Sequence, residues 1–415
     1  IVQGGMYQHL REESLAGPGL TERDYRAARR LGVPYKVYTS GATAFQLQVA
    51  QRIEDHASSL GHPRDYPVPP KDRARIRSEV ATEFFRAEHG RNPMDARELS
   101  GAVAKLSRPR TSAVGGFDLT FSPVKSVSTL WAIAPPEVAA QIELAHHDAV
   151  TDALAFIEKH ALYTREGTNG VRQVDVTGLV AAAFTHRDSR AGDPDLHTHV
   201  AVANKVQTLS GKWLAIDGRI LFKAKVTVSE TYNTALEKHL RTRLGLAFAE
   251  RPGTEPGKRP IREVVGVDPA LNQRWSTRRA AIQARRGELA TTFQGDHGRP
   301  PSVVEAIQLA QQATLETRDA KHEPRTLTEQ RAAWREQARD VLGGPAGVTA
   351  MVTSALTPGR SAPPTTVDAA WVRETAMRVR DEIAARRSTW QVWHVRGEAH
   401  RQVRAANLPA VQVEQ

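Results

Sequence analysis

The sequence contains no cysteine. That excludes disulfide scaffolds, iron–sulfur clusters, thiolate zinc sites and cysteine nucleophiles together. Aromatic residues are scarce, at 6%, which leaves room for loosely packed segments. No apolar run approaches the roughly 18 residues of a membrane span, so no membrane insertion is expected. The first residues, Ile1 to Met6, lack the basic and apolar regions of a secretory signal, so a cytoplasmic protein is expected. Acidic charge is in deficit: 46 Asp and Glu face 57 Lys and Arg, a formal net charge of +11. Such a balance favours a polyanion such as nucleic acid as partner, against the plainer reading of a merely soluble basic protein.

What is present fits an ordinary globular chain of 415 residues, with 40% hydrophobic and 25% charged residues. Two or three domains are expected from that length. Because residue 1 is Ile rather than Met, a fragment of a longer protein is the expectation.

Three regions emerge along the chain. Residues 1–109 read as mostly helical and charged. Gly17-Pro18-Gly19 marks a loop, Thr21 a helix N-cap, and the prolines at 63, 67, 69 and 70 a connector. Arg73 to His89 carries Ile76, Val80, Phe84 and Phe85 on one helical stripe. Residues 110–299 read as an α+β core with an antiparallel sheet: a strand at Phe117–Phe121, a long helix at Pro136–Lys159, strands at Gly178–Arg187 and Leu196–Thr208, a hairpin arm at Lys212–Ile216, and a helix at Val226–Arg243. Residues 300–415 read as a helical, arginine-rich linker region, interrupted at Gly343-Gly344-Pro345 and Pro358 to Pro364.

One segment carries chemistry. On a strand, His197 and His199 at i and i+2 share a face with the small residues Ala201 and Ala203, while Thr198, Val200 and Val202 face the other way. His186 ends the preceding strand, and the turn-rich loop from Arg187 to Asp195 folds it back beside His197 if the strands pair. Three imidazoles without cysteine or an obvious fourth ligand make an open site of the kind catalytic metals occupy. Nitrogen ligands admit Zn, Mn, Co, Ni or Fe. The alternative is a polar patch on a basic protein.

In Phe117 to Phe121 the apolar side chains take one face, with Asp118 and Thr120 on the other. Asp118 can accept the free N–H of a metal-bound histidine, or a proton from a nucleophile. A water-facing edge strand is the plainer alternative. Ser122-Pro123-Val124-Lys125-Ser126-Val127-Ser128 reads as a turn whose hydroxyls and Lys125 can meet phosphate.

Gly116-Phe117-Asp118-Leu119-Thr120-Phe121-Ser122-Pro123-Val124-Lys125-Ser126-Val127-Ser128, followed by His186 and then Leu196-His197-Thr198-His199-Val200, resembles the conjugative relaxases of the TrwC/TraI type (MobF class) in the HUH endonuclease superfamily, actinobacterial members most. The clear match covers roughly 110–285. The resemblance implies a palm-like antiparallel sheet flanked by helices. It implies site- and strand-specific nicking of single-stranded DNA at a plasmid transfer origin, in which a tyrosine attacks phosphate and keeps the 5′ end. It implies that His186, His197 and His199 hold one divalent cation (Mg, Mn or Zn), with Asp118 as the nearby catalytic acid. Relaxosome accessory proteins and a type IV secretion coupling protein are the further partners it implies.

Two departures from that pattern stand out. The family's nucleophile lies near the native N-terminus, whereas the earliest tyrosine here is Tyr7, followed by Tyr25, Tyr35 and Tyr38. The nucleophilic tyrosine is therefore expected upstream of Ile1. Full-length relatives also carry a helicase, yet Gly253 to Arg259 fails the Walker A pattern: its glycines are one residue too close and no Ser or Thr follows Lys258.

Single-stranded DNA binders combine basic grooves with aromatic platforms. Arg274, Arg278 and Arg279 with Trp275 interleaved fit that description, as do Lys223 and Lys225 after Trp213. A solvated helix face beside a core tryptophan is the alternative. Two rival readings stand beside the relaxase: a metal-dependent hydrolase on a non-nucleic substrate, and a non-catalytic DNA-binding remnant.

Overall fold

The structure is a computed structural model, and it describes residues 43–63, 66–107, 114–253, 258–319, 323, 325–357, 367–408 and 412–413. Tyr7, Tyr25, Tyr35, Tyr38, the Gly17-Pro18-Gly19 loop, the Thr21 cap and the linker at 358–364 lie outside the described residues. Backbone contacts divide the chain into two units, meeting at Gly115 and Gly116.

The smaller unit holds three helices, α1 (Ala44–Ser59), α2 (Pro70–His89) and α3 (Ala96–Ser107). Thr43 and Gln46 close a reciprocal capping box at the start of α1. Pro70 opens α2, where its missing N–H costs nothing, and Gly90 closes it at φ 70°. Phe45, Val49, Ile76, Val80 and Ala81 form the core, with Phe84 packed against it.

The larger unit opens with β1 (Gly116–Phe121), α4 (Lys125–Ile133) and α5 (Pro136–His160). A two-stranded ribbon follows, β2 (Thr164–Glu166) with β3 (Arg172–Val174), then β4 (Ala181–Asp188) and β5 (Pro194–Ala203). A second ribbon, β6 (Val206–Gln207) with β7 (Trp213–Leu214), leads into α6 (Gly218–Leu244), and a third pairs β8 (Phe248–Glu250) with β9 (Arg262–Val264). Helices α7 (Pro269–Arg274), α8 (Thr277–His297), α9 (Val303–Glu316), α10 (Leu327–Leu342), α11 (Pro345–Leu356), α12 (Ala369–Ala384) and α13 (Val392–Ala405) complete it.

The main sheet has three antiparallel strands in the order β1-β5-β4. Alternation does the sorting: Thr198, Val200 and Val202 of β5 are buried on the inner face, as is Phe121 of β1. That face packs on α5 and α6, where the Phe121 and Tyr232 rings lie 5.3 Å apart. The expected α+β class with a helix-flanked antiparallel sheet therefore holds. Among the described residues, no helix is long and apolar enough to cross a membrane.

Four local expectations are corrected. Lys125 to Ser128 is the first turn of α4, not a free turn. Ser126 and Ser128 are buried there, and their hydroxyls accept the backbone N–H groups of Val264 and Leu196. The expected strand Leu196–Thr208 ends at Ala203, and the chain resumes pairing only at Val206. The helix expected from Val226 starts at Gly218, because the Asp217 carboxylate caps it by accepting from Arg219 N–H. Lys223 and Lys225 thus lie on α6 itself.

The fourth correction concerns the last quarter of the chain. It is not a linker: Trp334, Ala338, Met351, Val352 and Ala355 of α10 and α11 belong to the same core as the sheet. Gly343-Gly344-Pro345 is the corner between those helices, with Gly343 at φ 75° and Gly344 at φ 106°. Helix α13 packs on α6, where Thr227 donates to the Trp393 carbonyl at 2.6 Å. Arg401 and Arg404 pair there with buried Glu230, and Arg262 pairs with buried Glu237. Buried carboxylates need such partners, because an isolated charge in the core is costly.

Candidate active site

The pairing of β4 with β5 sets His186 directly opposite His197, and the pairing of β1 with β5 sets Thr120 opposite His199. All three histidines therefore project from one face of the sheet. Their ring centroids lie 5.1 Å apart in every pairing. One ligand atom from each falls within 4.8 Å of the others. The pairing register shifts between His186 and Asp188, so a bulge follows the first histidine directly.

Second partners orient two of the rings. His197 donates from Nδ1 to the Asp195 carbonyl at 2.7 Å. His199 Nδ1 lies 2.9 Å from both carboxylate oxygens of Asp118, with Thr120 Oγ1 at 3.2 Å. An Nδ1–H held in this way leaves Nε2 as the lone-pair nitrogen, the arrangement typical of metal-ligating histidine. The donor set and its spacing fit a divalent cation.

The approach to β5 is braced from three sides. Lys125 donates from Nζ to the Pro194 carbonyl at 2.6 Å, and burial holds its pKa below the usual lysine value against the pull of Asp195 and Asp193. This corrects the expectation that Lys125 meets phosphate, since its ammonium is turned inward to the strand entry. Leu196 N–H donates to Ser128 Oγ at 3.2 Å. Buried Asp193 accepts from Thr277 N at 2.9 Å and from Thr277 Oγ1 at 3.1 Å. Burial pushes the Asp193 carboxyl upward, and the Thr277 bonds oppose that rise.

The Thr277 contact ties the start of α8 to the loop that enters β5. Arg278 and Arg279 follow at once, the first half-buried and the second exposed, and Arg274 is exposed at the end of α7. Trp275 does not join them. It is 0% exposed in the core and donates from Nε1 to Gln337 Oε1 at 2.6 Å. It is a structural tryptophan, not a stacking platform, because the chain between α7 and α8 turns it inward. Arg285 of the same helix is committed to Glu288 and Glu316.

An aromatic that sequence reasoning passed over sits beside the triad. Phe184 is 55% exposed and pairs across the strands with His199. Its signal was its even spacing from His186, which places both on one strand face. Tyr232 is the reverse case: it is 3% exposed, lies behind the sheet and bonds to buried His146, so it is not a nucleophile for this site.

Comparison with known proteins follows the same lines. The family model for the TrwC relaxase matches residues 46–341. The chain is 32% identical over 245 residues to the multifunctional conjugation protein TraI of Escherichia coli, and 32% identical over 213 residues to TraI of strain K12. Those alignments cover 58% and 46% of this chain but 12% of each relative, so the chain spans a small part of their length. Among solved structures, it resembles the copper-bound conjugative relaxase TrwC in complex with oriT DNA, at 26% identity and a TM-score of 0.46, over 69% of this chain and 85% of the other. TrwC complexed with a 27-mer DNA carrying the recognition hairpin and cleavage site matches at 26% identity and the same TM-score of 0.46, over 69% of this chain and 89% of the other. With most of its described length matched by the family model, the chain belongs to the TrwC relaxase family.

Proposed function

We propose that this chain carries the centre of a DNA relaxase, which nicks single-stranded DNA at a plasmid transfer origin by transesterification, in the cytoplasm where that DNA resides. The observation that carries the reading is the convergence of His186, His197 and His199 on one open sheet face, with Asp118 behind His199. His186, His197 and His199 would hold one divalent cation through their ring nitrogens. When bound, such a cation polarises a phosphate and neutralises charge that develops on its oxygens.

The chain's own residues supply the rest. Asp118 fixes the His199 tautomer by accepting its Nδ1–H, and the Asp195 carbonyl does the same for His197. Phe184 and the small residues Ala182 and Ala201 leave room over the sheet for a nucleotide to approach. Arg278 and Arg279 lie next to the loop that enters β5 and can meet backbone phosphates. A tyrosine hydroxyl makes the attack: it gives up its proton as its oxygen bonds to phosphorus, the bond from phosphorus to the 3′ oxygen breaks, and that oxygen takes up a proton and leaves as a hydroxyl. Within this chain Tyr7 is the first tyrosine to test for that role.

The test is a denaturing gel with labelled single-stranded DNA bearing the cognate transfer origin and Mn or Mg. A cut with a covalent protein–DNA adduct that Tyr7→Phe abolishes assigns the nucleophile. An adduct that survives Tyr7→Phe places it at another tyrosine. DNA binding without a cut means that none of the tyrosines in this chain is the nucleophile, and failure to bind any DNA would overturn the reading.

A further inference from the structure

The inner face of the triad's sheet holds a chain of polar side chains that nicking itself does not use. His146 on α5 is fully buried, and both of its ring nitrogens are engaged. Nδ1 lies 2.8 Å from the Tyr232 hydroxyl on α6, and Nε2 lies 2.8 Å from Thr198 Oγ1 on β5. Thr198 Oγ1 is 3.0 Å from Thr185 Oγ1, its cross-strand partner on β4. Thr185 Oγ1 in turn is 3.1 Å from Nε2 of His147, the next residue of α5.

The direction of these bonds follows from donor counting. Among the described residues, the buried Tyr232 hydroxyl has one partner, so its proton must go to His146 Nδ1. The His146 proton then sits on Nε2 and is donated to Thr198. The Thr198 hydroxyl donates to Thr185, and the Thr185 hydroxyl donates to His147. Every member finds a partner in that one direction. In the reverse direction the Tyr232 proton is left unpaired in the core. The assignment requires a neutral His146, and burial pushes its pKa down to about 3.

The placement of the two threonines gives the network its meaning. Thr198 lies between His197 and His199, and Thr185 immediately precedes His186. Side chains alternate across a strand, so fastening each threonine from behind fixes the backbone from which the neighbouring histidines project forward. The dipeptide His146-His147 thus grips both ligand strands from one helix.

We propose that His146 and His147 are positioning residues for the metal triad, acting through Thr198 and Thr185 to hold His186, His197 and His199 at ligating distance. The proposal rests on the reading of the triad as a metal centre. It goes beyond that reading by assigning the setting of the ligand geometry to a helix on the opposite side of the sheet.

Cobalt(II) titration of the full chain, followed by visible absorption, tests it. Thr198→Val removes the hydroxyl with little change of shape, and exposed His147→Ala removes the second anchor. Each should weaken Co(II) binding about tenfold, the low end of the range for a direct outer partner of a metal ligand because these groups act one step further out, and should alter the absorption bands. Thr198→Ser, which keeps the hydroxyl, should bind as the native chain does. A purely structural role would lower the melting temperature of the metal-free protein while leaving affinity and spectrum unchanged, and that result in both variants overturns the proposal. Should Thr198→Val fail to fold, His147→Ala decides alone. A native chain that takes up no Co(II) fails before any substitution is made, and that outcome refutes the metal centre and the proposal with it.

Discussion

His199 Nδ1 stands 2.9 Å from both oxygens of the Asp118 carboxylate, across the β1–β5 pair. The acid on strand β1 therefore partners one of the three histidines proposed to hold the cation, the place a tautomer-fixing carboxylate takes. A carboxylate in this position also raises the basicity of the nitrogen opposite, which strengthens a metal bond made there.

Asp118→Asn keeps a hydrogen-bond acceptor and removes the charge. Metal affinity should fall by about tenfold, within the usual range for an outer-shell partner. Nicking should slow more than DNA binding weakens. Isothermal titration with Mn measures the metal affinity, and a nicking gel beside a filter-binding assay on the same preparations separates the other two; equal losses of nicking and of DNA binding would count against the role.

His197→Ala and His199→Ala each remove one imidazole of the proposed metal site from β5 without touching its buried face. Both should abolish cleavage and preserve the far-ultraviolet dichroism of the native chain. Wild-type cleavage in both variants would sink the metal assignment.

The corrected tryptophan separates packing from binding. Trp275→Ala should cost about 3–5 kcal/mol of stability, as large core aromatics do. Urea denaturation measures that loss. Arg279→Ala, by contrast, should leave stability within about 0.5 kcal/mol and reduce the slope of log affinity against log salt by about one contact's worth, ~0.7 for a single strand. A lower DNA affinity for Trp275→Ala under fully native conditions, with an unchanged denaturation midpoint, would restore the stacking reading.

Acid should destabilise the larger unit through its buried histidines. Burial lowers the pKa of His146 to about 3 and that of His400 to about 4. Both are kept neutral in the fold and take up protons near pH 6.5 once unfolded. Their stabilising effect is complete above about pH 6.5 and is lost as pH falls towards the folded values, at up to about 1.4 kcal/mol per pH unit for each histidine. Thermal melts between pH 7.5 and 4.5 should show this slope, and Thr231→Val, which removes a partner of His400 Nε2 at 3.2 Å, should leave the His146 part of it intact.

Period-two alternation was enough to place β1 and to put His197 and His199 on one face of β5, while bringing His186 to that face required the pairing of β4 with β5. Helical spacing of Ile142, Ala145, Ala149 and Ala153 did the same for α5. What stayed hidden depends on partners far away in the chain. Ser126 and Ser128 look like solvent-facing hydroxyls until the backbone N–H donors of Val264 and Leu196, 138 and 68 residues distant, fold back on them. Trp275 reads as a platform because its neighbours are arginines, and only tertiary packing reveals that the turn faces inward. His146 carries no local mark at all, since its partners Thr198 and Tyr232 lie 52 and 86 residues away.

The central position of β5, with Asp118's strand on one side and His186's strand on the other, dictates where this chain could gain or lose residues. A single insertion within Pro194–Ala203 ahead of the histidines would exchange the two faces of the strand. Thr198 would then look outward and the imidazoles would press into the hydrocarbon interior. Added residues are accordingly accommodated best in the connections, at the tips of the small ribbons and the helix junctions beyond Val264.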